Sequence, residues 1–214
     1  MKNRNTIKVI YRDRFFLAAH KPSGIPTYET SKRAESSQQV IGCKEALEEQ
    51  LNQRLFPVHR IDSDTEGLVL FALTPQAASG LIRCFKEHQI KKTYVAWCVG
   101  ETPASGSIKH PLRKNKSKET EPARTDFIRI KTKHIQGKAF SQVRAFPFTG
   151  RFHQIRRHFS DAGHSLVGDP LYGDSKSWEP FFSQNEPPRL LLFAESVEFQ
   201  HPFTRKPMVI KAKI

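Results

Sequence analysis

His59–Thr74 reads HRIDSDTEGLVLFALT, with three acids and an arginine directly in front of an unbroken apolar run. The run, Leu68 to Leu73, is bounded by Gly67 on one side and by Thr74-Pro75 on the other. A short continuous apolar segment between breakers reads as a buried strand. The acids therefore stand at the mouth of a core element, where a loop pinned to a rigid strand holds a reactive side chain in a fixed place. Ordinary turn formation also accounts for them, because Asp, Ser and Thr close their own backbone turns.

Beyond the run, Thr74 with Pro75 forms an N-cap and first-turn pair, and the spacing predicts a helix ending near His88 with Ala78, Leu81, Ile82 and Phe85 on one face. Lys92 to Val99, rich in aromatic and β-branched residues, reads as a second strong strand. Upstream, Ile7–Tyr11 and Phe15–Ala19 suggest a hairpin around Arg12-Asp13-Arg14, and Lys21-Pro22-Ser23-Gly24 stops its second strand. Thr27 to Gln39 has hardly an apolar residue and is expected to be a mobile surface loop, after which Val40 to Leu51 recovers helical spacing. Ser105 to Arg124 carries Lys109, Arg113, Lys114, Lys116, Lys118 and Arg124 with few apolar anchors, as a flexible basic arm or a solvated face would. Phe127–Lys133 and Ala139–Phe146 alternate as strands across Gly137. In the following RFHQIRRHF, Arg151 to Phe159, helical spacing puts Phe152, Ile155 and Phe159 inward, with His153 and Arg156 on a neighbouring face. A glycine-punctuated loop, Val167 to Gly173, precedes two more strand-like segments at Leu190–Glu195 and Pro207–Ala212. Many strands with a few helices and no βαβ rhythm argue for an α+β fold with a largely antiparallel sheet.

The chain has 214 residues and a net charge of +14, which makes a polyanion the expected partner of its surface. Its sixteen Phe within a hydrophobic fraction of 37% distinguish it from a disordered basic tail. Cys43, Cys84 and Cys98 lie in no CxxC spacing and cannot all pair, so neither a disulfide framework nor a zinc ribbon is indicated. With no signal-peptide pattern in MKNRNTIKVIYRDRFF and no apolar segment of membrane length, a soluble protein of the reducing cytoplasm is expected.

In order, HRIDSDTEGLVLFA, KKTYVAWCVG, FTGRFHQIRRHFSDAGHSLVGDPLYG and LLLFAESVEFQHPFT resemble the RluA-type RNA pseudouridine synthases, and VIYRDRFFLAAHKPSGIPT is similar to that family's opening hairpin. The resemblance runs from about Ile7 to Ile210. It implies an RNA-modifying isomerase with an α+β fold: a mixed, mainly antiparallel sheet with flanking helices and a central cleft. One catalytic domain spanning 1–214 is expected, without the N-terminal RNA-binding module of some relatives, and acting as a monomer on ribosomal or transfer RNA. Position by position, the resemblance puts the family's catalytic Asp on Asp62, the Tyr of its K-x-Y motif on Tyr94 and the Arg of its HQIR motif on Arg156. In those terms one acid does chemistry, while Asp64 and Glu66 shape or charge the loop. Departures from the family pattern fall at Ile61, Ser63, Glu66, Phe152 and Phe193. Of these, Glu66 would repel phosphate at a cleft edge and Phe152 would offer a stacking face.

The chemistry suits these residue types. Converting uridine to pseudouridine breaks the bond from ribose to the uracil nitrogen, turns the base and joins the same sugar carbon to a ring carbon, with no atoms gained or lost. No energy source or redox carrier is needed, in keeping with a sequence that has no P-loop, dinucleotide fingerprint or metal-ligand spacing. A carboxylate attacks or stabilises a sugar carbon that becomes cation-like as the base departs. An arginine keeps such a carboxylate charged where desolvation opposes it. Tyr94 offers a ring to stack on uracil and a hydroxyl for a proton step, as acceptor or donor. The target base must also be flipped out of its stack, and Arg60, Arg151, His153, Gln154 and the arm residues Lys109, Arg113 and Lys114 are candidates to hold the RNA while that happens. Two rivals remain at this level: a non-catalytic RNA-binding protein, and a hydrolase using Asp62 and Asp64 as a carboxylate pair.

Overall fold

Burial on both faces explains why the apolar run is continuous instead of alternating. The computed structural model describes residues 6–29, 41–114, 119–183 and 186–213. Its elements in chain order begin with strands β1 (Val9–Arg12) and β2 (Phe16–Lys21), helix α1 (Cys43–Leu51), strands β3 (Phe56–Pro57) and β4 (Glu66–Ala72), and helix α2 (Pro75–Lys86). Strands β5 (Lys91–Val99), β6 (Ser105–Ile108), β7 (Leu112–Arg113), β8 (Thr120–Glu121), β9 (Thr125–Ile135) and β10 (Lys138–Pro147) follow. Helices α3 (Gln154–Asp161) and α4 (Ser175–Trp178), a 3-10 turn over Glu179–Phe181, and strands β11 (Leu192–Gln200) and β12 (Pro207–Lys211) complete the fold. It is an α+β fold whose ladders are mainly antiparallel, with one isolated parallel bridge between Gly100 and Phe140. The elements divide into two compact units, Met1–Ile90 with Ala194–Ile214, and Lys91–Phe193.

In the first unit the sheet order is β1-β2-β4-β11, with β3 also on β4 and β12 on β11. β2 and β4 pair from Phe16 opposite Ala72 to Lys21 opposite Gly67. Leu17, Ala19, Val69 and Phe71 pack with Cys43 and Leu47 of α1, while Phe16, Ala18, Leu68 and Leu70 of the other face are also buried. The β1–β2 turn is closed by Asp13, whose Oδ1 accepts from the Phe15 and Phe16 amides at 2.7 and 2.9 Å and whose Oδ2 accepts from His201 Nε2 at 2.9 Å. His201 Nδ1 accepts from the Phe203 and Thr204 amides, so the bond to Asp13 carries the ring proton. The α2 cap forms as the sequence predicts, Thr74 Oγ1 accepting from the Ala77 amide at 3.1 Å with Pro75 in the first turn. The helix is rotated slightly from the predicted stripe: Ala77, Ala78, Leu81 and Cys84 are buried, while Ile82 and Phe85 are half-buried, Phe85 stacking on His59 at 4.5 Å. All three cysteines are buried and unpaired. Among the described residues no helix is long and apolar enough to cross a membrane.

In the second unit the order is β5-β10-β9-β6, and β7 with β8 makes a separate two-stranded ladder. One sheet face presents Ala96, Cys98, Phe127, Val143 and Ala145 to Ile155 and Phe159 of α3. The other packs Phe140 and Trp97 against Val167, Trp178 and Phe181.

Three expectations need correction. The span read as a flexible basic arm contains β6, β7 and β8, and Leu112 and Ala123 are buried anchors within it, although Lys116 and Lys118 lie outside the described residues. His158 ties that segment down: its Nε2 donates to the His110 carbonyl at 2.9 Å, its Nδ1 accepts from Thr125 Oγ1 at 2.9 Å, and the neighbouring Arg157 Nη1 donates to the Arg113 carbonyl at 3.0 Å. Charge counting could not see these backbone acceptors. Second, Phe152 is not in the inward stripe with Ile155 and Phe159; the helix begins at Gln154, and Phe152, 43% exposed, stacks on the His153 ring at 3.7 Å. Third, Thr27 does not open a mobile loop. It is 3% exposed and its Oγ1 both accepts from the Ile61 amide and donates to the Ile61 carbonyl, at 3.1 and 2.9 Å. Of that stretch, 30–39 lies outside the described residues.

Two predictions follow from this packing. Gly67 sits at φ +118°, and a Cβ there would meet the Ala194 carbonyl oxygen and amide nitrogen at 2.4 and 2.8 Å. Gly67→Ala is expected to destabilise by at least the roughly 1–3 kcal/mol that such a backbone conformation costs a non-glycine residue, read from the shift in denaturation midpoint. The His158 imidazole is held below its ordinary pKa by burial, partly countered by the bond to the His110 carbonyl. The unfolded chain then takes up this proton at a higher pH than the native one. Native stability from this group is complete above the unfolded pKa and is lost as pH falls through the folded value. Protection factors of the Leu112, Arg113, Thr120 and Glu121 amides, with the intrinsic exchange rate divided out, should therefore fall on acidification through the imidazole range, and His158→Gln should flatten that response.

Candidate active site

The loop before β4 is fixed by its backbone, which leaves its side chains for other tasks. Ile61 is clasped through both amide and carbonyl by Thr27 Oγ1. The Asp62 carbonyl accepts from the Thr65 amide at 3.1 Å, closing the turn. The Ser63 carbonyl accepts from the Gly24 amide at 2.9 Å, and the Asp64 carbonyl accepts from Ser23 Oγ at 2.8 Å. Ile61, Ser63 and Asp64 are thus held by the segment Ser23–Thr27 that follows β2, and Asp62 by Thr65 within its own turn.

The centre of that clamp is a lysine that sequence reasoning treated only as a strand stop. Lys21 is 0% exposed, and its Nζ donates to the carbonyls of Pro22, Ile25 and Ser63, each at 2.8 Å. Burial pushes its pKa down to about 8, against the raising influence of the acids Asp64, Asp62 and Glu66 around it. The signal was legible in principle: FLAAHK ends an apolar buried strand on a cation at the position where β2 faces Gly67. Glu66 meets the His20 ring, Nε2 to Oε1 at 2.9 Å, so the acid that departs from the family pattern has a local partner. Arg60 is exposed, with its guanidinium 5.9 Å from the Tyr28 ring centroid.

In the second unit, α3 and β5 share one core. Tyr94, on β5 opposite Ala145, packs against the cluster that contains Ile155 and Phe159. Arg156 lies on the same helix, only 1% exposed, and forms a bidentate pair with Asp169, Nε to Oδ2 at 2.8 Å and Nη2 to Oδ1 at 2.7 Å. The Asp169 carboxylate is itself fully buried and also accepts from the Leu171 and Tyr172 amides at 3.0 and 3.2 Å. Burial would raise its pKa, but the guanidinium and the two amides outweigh that and hold it below the usual carboxylate range. Arg156 also lies 5.4 Å from the Tyr172 ring centroid, and the Tyr172 hydroxyl meets His153 Nδ1 at 3.1 Å. Asp169 and Tyr172 were hidden in the glycine-punctuated loop. Their pointer was Gly168, at φ +75°, where a Cβ would lie 1.9 Å from the Arg189 carbonyl oxygen.

The other sequence candidates in this unit divide by what they already touch. His153 caps α3 with left-handed backbone, φ +51°. Gln154 is buried and its amide is used internally: Nε2 donates to the Arg124 carbonyl and Thr125 Oγ1, and Oε1 accepts from Thr149 Oγ1 and the Arg151 amide. Arg151 reaches Glu121 at 3.3 Å. Lys114 lies 3.8 Å from Glu119, while Lys109 and Arg113 are exposed.

Comparison with known proteins places these motifs. A family model described as RNA pseudouridylate synthase matches residues 16–161. The tRNA pseudouridine synthase C of Vibrio parahaemolyticus is 32% identical over 97% of this chain and 90% of its own length, and that of Vibrio vulnificus is 30% identical over 97% and 91%. The solved structure of human RNA pseudouridylate synthase domain containing 1 superposes with a TM-score of 0.80 at 24% identity, covering 100% of this chain and 86% of that one, a likeness of fold. With its motifs spread along the whole match, the chain belongs to the RNA pseudouridylate synthase family and is an RNA-modifying isomerase.

Proposed function

We propose that the chain isomerises a uridine of transfer RNA to pseudouridine, with Asp62 as the catalytic carboxylate, Tyr94 as the aromatic that stacks on the base and supplies a hydroxyl to the proton step, and Arg156 as the charge that keeps the carboxylate ionised. The observation that carries the reading is the way the backbone from Ile61 to Asp64 is bonded residue by residue, which presents the Asp62 side chain from a rigid loop. Such fixation suits a group that must meet one sugar carbon, because orientation supplies much of the catalytic advantage. The bidentate Asp169 pair likewise sets the direction of the Arg156 guanidinium before substrate arrives. Transfer RNA as substrate is supported by the Vibrio relatives, named tRNA pseudouridine synthases and 32% and 30% identical. The enzyme works as a monomer in the cytoplasm, and needs no cofactor because bond breaking and bond making exchange partners within one nucleotide.

Arg60, Arg151, His153, Lys109, Arg113 and Lys114 are the proposed RNA contacts. Gln154 contributes to them by holding the loop from Thr149 to His153 in shape.

Asp62→Asn should abolish pseudouridine formation while RNA binding stays within about twofold, since one neutralised acid removes no phosphate contact. Retention of full turnover would leave only a binding protein, and release of free uracil or a cut strand would mean a hydrolase. Mapping pseudouridines in RNA from cells with and without the gene tests the substrate: loss from ribosomal RNA alone would overturn the transfer-RNA assignment. Lys21→Met should lower both stability and turnover. Each carbonyl left without its donor costs about 1–3 kcal/mol, and an ångström of loop displacement costs on the order of a hundredfold in rate; melting and single-turnover kinetics read the two effects.

A further inference from the structure

We infer that Lys92 is a phosphate ligand of the RNA, gripping the backbone beside the uridine whose base Tyr94 receives. The inference rests on the functional reading above and adds a substrate contact to it. Strand alternation puts Lys92, Tyr94, Ala96 and Cys98 on one face of β5, the face packed beneath α3. Lys92 and Tyr94 are therefore about 7 Å apart along the strand, comparable with the reach from a base to its own phosphate.

Among the described residues two lysines are buried enough that their ammonium groups are pushed down to about 8, and they differ in one respect. Lys21 gives each of its three N–H groups a carbonyl. Lys92 has one protein acceptor among the described residues, the Thr149 carbonyl at 2.8 Å, and no acid counters its burial. An ammonium has three donors and gains from an anion when it is partly desolvated. The surroundings allow an anion to approach: Gly150 adjoins the ammonium, a Cβ there standing 3.7 Å from Nζ. A lysine whose task was only to brace the Thr149 loop would gain nothing from remaining short of acceptors, whereas Lys21 illustrates how this chain satisfies a bracing lysine.

The test uses the full chain and a short RNA hairpin around the uridine that wild type modifies and Asp62→Asn does not. Lys92→Met should raise KM for this hairpin about tenfold, the scale of a charge-assisted hydrogen bond, with kcat within about twofold, and should reduce the slope of log affinity against log salt by about one; Lys92→Arg should restore most of the affinity. In parallel, the linkages flanking the uridine are replaced one at a time by uncharged methylphosphonate. One of them should weaken wild type by the same factor and have no further effect on Lys92→Met. A fall in kcat at unchanged KM, or a wild type indifferent to every neutral linkage, overturns the assignment. The methylphosphonate series decides alone if Lys92→Met does not fold. Failure of the functional reading is separate, because it appears as turnover by Asp62→Asn.

Discussion

One ammonium group with no exposed surface organises the first unit. Lys21 ends a strand, turns back on its own chain to hold Pro22 and Ile25, and reaches across 42 positions of sequence to the Ser63 carbonyl. It adds to the contacts that Thr27, Ser23 and the Gly24 amide make between the segment after β2 and the acidic loop before β4. A buried charge is costly, and its pKa near 8 expresses that cost. Three carbonyl dipoles and three nearby acids offset it, so the acids of the loop help keep its anchor charged. Anchor and acidic loop are coupled here through one local electrostatic balance.

The second unit also buries a cation, but balances it with a full anion instead of carbonyl dipoles. A guanidinium on the inward side of α3 would be insupportable alone, and Asp169 supports it with a fork that neither residue can make with a lysine. Asp169 in turn needs the loop that carries it to turn sharply, which Gly168 permits by leaving space against the Arg189 carbonyl. The helix that bears Arg156 begins abruptly at a left-handed His153, whose ring is held between Phe152 and the Tyr172 hydroxyl. These contacts are distant in sequence but mutually dependent, and they fix the direction of the arginine more tightly than its helix position alone.

The elements legible in the sequence were those governed by local rules. The apolar run of β4, the Thr74-Pro75 cap, the aromatic strand β5 and the β9–β10 hairpin all follow from periodicity and breakers within a dozen residues, and the structure has each of them. What periodicity could not reach was partner identity. Lys21 was visible as a strand stop but not as a three-way clasp, since its acceptors are backbone oxygens that no side-chain pattern encodes. Asp169 was one polar residue in a loop until the fold set it against Arg156. Phe152 was misassigned because helical spacing was extended one turn too early; the left-handed backbone of His153 breaks the register and turns the phenyl ring outward.

The same distinction governs the basic composition. A net charge of +14 points toward a polyanion, yet many of the cations that produce it are engaged within the protein. Arg124 is paired with Asp126, Arg129 with Glu101, Arg151 with Glu121 and Arg156 with Asp169, while Arg157 donates to a backbone carbonyl. Exposed pairs of this kind are weak and can be exchanged for phosphate at little cost, whereas the buried Arg156–Asp169 fork cannot. Affinity for RNA is therefore set by which cations can change partners, and the net charge counts both kinds alike. Lys109 and Arg113 belong to the first kind, Lys21 and Arg156 to the second, and burial separates them where sequence does not.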